Sequence, residues 1–166
     1  MGVKMADILF ETQNYIFSYR VAGILAQNGK VLLQKPIDDP GFAFPGGHVA
    51  FGETNEQTLI REFKEEIGAD VLVGELKWVA EIFFPWHDKP CHQICLYYVI
   101  NILQDGNIPE TDIFIGEGRI EERKPNIEFH WVPFDKVKDI KIYPTNAAEL
   151  LDKLGEGVQH FIYRES

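Results

Sequence analysis

Gly47-His48-Val49-Ala50-Phe51-Gly52-Glu53-Thr54-Asn55-Glu56-Gln57-Thr58-Leu59-Ile60-Arg61-Glu62-Phe63-Lys64-Glu65-Glu66-Ile67-Gly68-Ala69 is the stretch that decides how this chain folds. Thr54 followed three residues later by Gln57 fits a capping box, so a helix is predicted from Thr54 to Ile67. Leu59, Ile60, Phe63 and Ile67 recur at helical spacing as its apolar stripe, and Gly68 is placed to end it. On a wheel at about 100° per residue with Glu62 at zero, Glu65 falls near −60° and Glu66 near +40°. The three carboxylates therefore share an arc of roughly 100°, beside the apolar stripe and not opposite it. Crowded carboxylates disfavour one another's charge unless a cation sits among them. Hard oxygen donors of this kind suit Mg²⁺ or Mn²⁺. The preceding Pro45-Gly46-Gly47 reads as a sharp turn that could bring a backbone carbonyl, Gly46's, to the same ion. A glutamate run on a helix is also an ordinary solvated face, and the helix alone does not separate the two readings.

Outward from this stretch, Ile16 to Ala26 is rich in apolar and β-branched residues, and Asn28-Gly29 signals a tight hairpin into Lys30 to Lys35. Pro36 to Gly41 reads as a loop and Phe42-Ala43-Phe44 as a short aromatic stretch. Val71 to Phe84 and Gln93 to Leu103 read as long strands joined by a loop around Trp86 to Pro90. Glu128 to Val132 reads as the last strand and Thr145 to Leu154 as a terminal helix closed by Gly155. Strands with two helices that do not alternate strictly with them point to an α+β domain, a mixed sheet covered by helices.

The chain has 166 residues, which fits one domain over 1–166, and 45% hydrophobic with 25% charged residues excludes a disordered chain. Sixteen basic against twenty-six acidic residues give a formal charge of −10. That charge argues against nucleic acid or an anionic membrane as partner, but not against a small phosphate ligand held through a metal. Cys91 and Cys95 are too few for a disulfide scaffold, and on one strand, at roughly 3.3 Å per residue, they lie too far apart to bridge. Lys4, Asp7 and Glu11 interrupt what would be a signal peptide's apolar core, so a cytoplasmic location is expected.

Gly47, five residues, Glu53, seven residues, then Arg61-Glu62-Phe63-Lys64-Glu65-Glu66-Ile67-Gly68-Ala69 resembles the signature of the Nudix hydrolases. Its seven fixed charged and glycine positions would coincide by chance on the order of 10⁻⁸ per window. Phe63 and Ala69 fill the two hydrophobic slots, where Ile, Leu or Val is more typical. The resemblance implies a Nudix-like α/β/α sandwich with a mixed β-sheet. It also implies hydrolysis of a nucleoside diphosphate linked to another moiety, with Mg²⁺, or Mn²⁺, as cofactor. By the same resemblance Glu62, Glu65 and Glu66 are metal ligands or catalytic base, Arg61 orients a neighbouring glutamate, Glu53 supports the site, and the Gly46 carbonyl is a further ligand. A relative's additional carboxylate beyond the box would correspond to Glu121, Glu122 or Glu128.

Away from the fixed positions of the signature the residues leave alternatives open. Phe44, His48 and Trp86 are the substrate-binding candidates: His48 for a phosphate, and Trp86, taken to lie in a loop, for stacking a base; aromatic residues of this kind also serve as core. His87, Cys91, His92 and Cys95 lack the tight pairing of a structural zinc site and read as packing residues. Pro85, sixteen residues after Ala69, resembles a marker of ADP-ribose-type Nudix hydrolases, though a proline also ends a strand. ADP-ribose and (deoxy)nucleoside triphosphates are the candidate substrates, small-molecule nucleotides in either case. A catalytically silent, nucleotide-binding sensor domain is the alternative reading, and a homodimer is left open.

Overall fold

The computed structural model describes residues 5–103, 108–116 and 126–165. The capping box forms as the sequence predicts. Helix α1 (Asn55–Ile67) starts where the Thr54 hydroxyl accepts from the Gln57 amide at 3.1 Å and the Gln57 side chain accepts from the Thr54 amide at 2.9 Å. It stops at Gly68, whose φ of 78° closes the C-terminus while its amide donates to the Lys64 carbonyl at 3.0 Å. Leu59, Phe63 and Ile67 are buried, each contributing about 1.5–3 kcal/mol of burial. Ile60 is 40% exposed, because the buried arc is narrower than the stripe predicts.

Strands β1 (Leu9–Glu11), β2 (Ile16–Gln27) and β3 (Lys30–Pro36) come first, with Asn28 and Gly29 at φ 54° and 74° in the hairpin between β2 and β3. β2 and β3 pair only beside that turn, at Ala26 with Val31 and Gln27 with Lys30, and then separate. β4 (Phe42–Ala43) pairs with β3, and β5 (Gly46–His48) pairs antiparallel with β2. β6 (Val71–Trp86) and β7 (Lys89–Ile102) form one long hairpin, and β7 runs parallel to β2. The expected loop from Trp86 to Pro90 is instead a two-residue turn, with His87 and Asp88 at φ 49° and 62°. Trp86 is consequently a strand residue, and Pro85 lies within the strand opposite Pro90.

β8 (Ile113–Ile115), which the sequence reading did not anticipate, pairs with β9 (Ile127–Pro133). β9 is not the last strand. β10 (Ile142–Tyr143) follows, then α2 (Ala147–Asp152), shorter than expected, then β11 (Gln159–Arg164) parallel to β6. β11 alternates half-buried with exposed residues over only six positions, too few to stand out from a polar tail.

The sheet is mixed and runs β10-β4-β3-β2-β7-β6-β11. Alternation along β2 divides the core. Val21 and Leu25 pack with Leu59, Phe63 and Ile67 of α1, whereas Ala22 and Ile24 pack with Trp78, Tyr97 and Leu150 on the α2 side. The start of α1 is tied to the sheet through Asn55, which accepts from the Tyr19 hydroxyl at 2.9 Å and donates to the Tyr98 hydroxyl at 2.8 Å.

Candidate active site

Arg61 is the hub of the carboxylate cluster. Its Nε and Nη2 meet the two oxygens of Glu53 at 2.7 and 2.9 Å, a bidentate fork, while Nη1 donates to Glu62 at 2.9 Å and to Glu65 at 3.3 Å. One guanidinium thus serves three carboxylates, and these interactions hold it more firmly protonated than usual. Glu53 also accepts from the Thr58 hydroxyl at 3.0 Å and the Ala50 amide at 3.3 Å. The Arg61 hydrogen bonds hold the Glu53 carboxyl below the usual carboxylate range.

Glycine at position 47 has a steric cause. A Cβ there would stand 2.4 Å from Cδ of Glu62, so the bare backbone of β5 is what lets that carboxylate settle against it. Neither Gly46 nor Gly47 takes a positive φ. The expectation of a sharp turn at the double glycine is thereby corrected: the glycines lie in a strand, and their role is close approach. A Cβ at Gly46 would meet the Val21 carbonyl of β2 at 2.0 Å.

Glu62, Glu65 and Glu66 are all half-buried along the edge of α1. Among the described residues no three His, Cys, Asp or Glu side chains are gathered tightly enough to hold a metal ion. The donor chemistry nevertheless fits one: hard carboxylate oxygens on consecutive helical turns, half-buried, with Glu62 against the strand that carries the Gly46 carbonyl.

β5 also links this cluster to a cavity on the other face of the sheet. Gly47 faces α1, and the next side chain, His48, lines a cavity of about 480 Å³ together with Arg20, Trp86, Gln93, Tyr97 and Tyr143. His48 and Trp86 lie parallel, 3° between planes and 5.9 Å between centroids. Arg20, part of the cavity's lining, donates through Nη2 to the Phe44 carbonyl at 3.2 Å.

The cavity gathers two of the three substrate-binding candidates, His48 and Trp86, and rejects the third. Phe44 is fully buried, its ring edge-on to Trp78 at 5.2 Å and to Tyr97 at 5.7 Å. It is core, and its backbone alone reaches the cavity's Arg20. Glu128 is also corrected as a companion of the box. Its neighbour Phe129 packs on the α1 side, so alternation turns Glu128 to the opposite face, where it meets Lys35 at 3.2 Å and His130 at 2.9 Å. Glu121 and Glu122 lie outside the described residues. Cys91 and Cys95 are buried free thiols, in keeping with packing. Arg20, Tyr97 and Tyr143 were not anticipated; the available signal was polar Ser18 and Arg20 at alternate positions of a largely apolar strand.

Residues 17–154 match the family model described as the NUDIX domain. The chain belongs to the Nudix family. An ADP-ribose pyrophosphatase of Methanocaldococcus jannaschii is 34% identical over 87 residues, half of each chain. A CTP pyrophosphohydrolase of Escherichia coli is 44% identical over 59 residues, 33% of this chain and 44% of that one. These matches span half or less of the relatives' own length. The solution structure of the E. coli ORF135 protein superposes on 84% of this Nudix chain and 91% of its own, with TM-score 0.55 at 22% identity. The MutT protein of Bacillus halodurans covers 89% and 90%, with TM-score 0.57 at 18% identity. The structural likeness concerns the fold. No helix among the described residues of this Nudix chain is long and apolar enough to cross a membrane.

Proposed function

We propose that this Nudix domain is a metal-dependent pyrophosphohydrolase acting on a nucleoside diphosphate derivative. The observation that carries the reading is the two-sided strand β5, with the Arg61-ordered carboxylates on one face and the aromatic, Arg20-bearing cavity on the other. A phosphoanhydride and a base can be held at once across such a strand.

In this reading Glu62, Glu65 and Glu66, with the Gly46 carbonyl, hold Mg²⁺ or Mn²⁺. A divalent ion bound there would supply a water of lowered pKa and charge compensation for the phosphate oxygens. It is also required for binding, since an acidic stripe on a chain of charge −10 repels a polyphosphate. Glu53 fixes Arg61, and Arg61 keeps Glu62 and Glu65 oriented and reduces the repulsion between them. The cavity takes the nucleoside, its aromatic walls offering stacking surface and Arg20 a cation. Attack of water on phosphorus then breaks one bridging P–O bond, and positioning with electrostatic stabilisation carries the rate. One carboxylate of the cluster takes the water's proton.

The names of the relatives suggest the panel: ADP-ribose, CTP and other (deoxy)nucleoside triphosphates with Mg²⁺ or Mn²⁺, products identified. AMP with ribose 5-phosphate marks an ADP-ribose hydrolase, and a nucleoside monophosphate with pyrophosphate marks a triphosphate hydrolase. Nucleotide binding without turnover under both metals would refute the enzymatic reading and leave a binding domain.

A further inference from the structure

On the cavity face, β2 presents Ser18 and β7 presents Gln93 at directly paired positions. Ser18 has no exposed surface and Gln93 only 8%. Buried polar side chains are costly unless hydrogen-bonded, and an apolar pair would serve packing better. Their bonds lead to the cavity wall. The Ser18 hydroxyl donates to Gln93 Oε1 at 3.0 Å and stands 2.9 Å from His48 Nε2. Serine has one proton; directed to Gln93, it leaves the serine oxygen to accept and so selects the His48 tautomer that carries its proton on Nε2. The same imidazole lies parallel to Trp86, whose ring in turn stacks on Phe84 at 6.2 Å. One edge of the ring is hydrogen-bonded and its plane is aligned with the indole.

We propose that Ser18 and Gln93 are positioning residues for substrate recognition. They hold His48 with its proton on Nε2 and its plane along Trp86, so that the two rings form one rigid wall for the planar heterocycle of a nucleotide. The inference rests on the reading of the cavity as the nucleoside-binding side. Neither residue touches the carboxylate cluster, so their contribution falls on binding and not on the chemical step.

Ser18→Ala removes the hydroxyl without adding volume. With a nucleotide that the wild-type protein hydrolyses, KM is expected to rise about five- to tenfold, the order associated with re-immobilising one side chain, and kcat to stay within twofold. Trp86→Ala in the Ser18→Ala background is expected to add less than it does alone, since both changes dismantle one wall. Nitrogen chemical shifts of the ligand-free wild-type protein are expected to show His48 protonated at Nε2, and Ser18→Ala to mix the tautomers. An unchanged KM in Ser18→Ala, or a wild-type His48 protonated at Nδ1 alone, would overturn the proposal. Failure of the wild-type protein to hydrolyse any nucleotide sinks the enzymatic reading instead, and the tautomer measurement, which needs no substrate, still decides the positioning chain.

Discussion

Replacing Arg61 with glutamine removes a cation that contacts Glu53 at 2.7 and 2.9 Å, Glu62 at 2.9 Å and Glu65 at 3.3 Å. A hydrogen bond to a charged group contributes roughly 1.5–3 kcal/mol net. The four contacts do not simply add, because Arg61 and Glu65 are each 28% exposed and solvent screens them. Glu53 keeps its Thr58 and Ala50 donors. A net loss of about 1–2 kcal/mol is expected, a fall in Tm of about 2–8 °C for a chain of this size. Three carboxylates without their shared cation also repel one another, and a divalent ion would relieve that repulsion. Mg²⁺ should therefore raise the Tm of Arg61→Gln more than that of the wild-type protein. Turnover should fall about a hundredfold, close to 2.7 kcal/mol, because Glu62 and Glu65, the proposed ligands, lose their orientation. Scanning calorimetry with and without Mg²⁺, alongside steady-state kinetics, measures all three. An unchanged Tm together with an equal Mg²⁺ shift in both proteins would refute the role given to Arg61 as the cluster's charge hub.

Glu65→Gln and Glu66→Gln should each lower kcat by a hundredfold or more, about 3 kcal/mol, with the circular-dichroism spectrum retained; near-normal turnover with Mg²⁺ would show that neither is a ligand. Gly47→Ala places a methyl 2.4 Å from Cδ of Glu62, which must swing away. As the colliding group is the end of a side chain, the fold should survive while activity falls at least tenfold, and thermal melts with kinetics separate the two effects. Glu53 titrates below the ordinary value of 4.5 in the folded protein because Arg61 binds its charged form. Its contribution to stability is therefore complete above about pH 4.5 and fades as pH falls through the lower folded pKa. The Tm difference between the wild-type protein and Glu53→Gln should accordingly be widest near neutrality and shrink in acid, and a difference independent of pH would contradict the assignment.

Much of the candidate site was legible along the chain because it is built from local, periodic relations. Thr54 and Gln57 are three residues apart, Gly68 needs only its own φ, and Glu62, Glu65 and Glu66 share a helix edge by the 3.6-residue period. Asn28-Gly29 likewise determined its hairpin from two residues. Arg61 lies one and four residues from two of its carboxylates, and the signature spacing supplied Glu53.

The cavity behaves differently. Arg20, His48, Trp86, Gln93, Tyr97 and Tyr143 come from five strands, and which of them share a face depends on register set by long-range pairing. A slip of one residue in β5 would exchange Gly47 and His48 between the carboxylates and the cavity. The same dependence put Phe44 in the core when the sequence allowed it in the site, and set Glu128 on the face opposite α1. The sequence by itself determined the helix, its caps and its line of carboxylates, since short-range sterics and hydrogen bonds suffice for these. Only the tertiary structure decided which residues line the cavity, because in a strand every side chain has two possible sides and the choice belongs to the neighbouring strands.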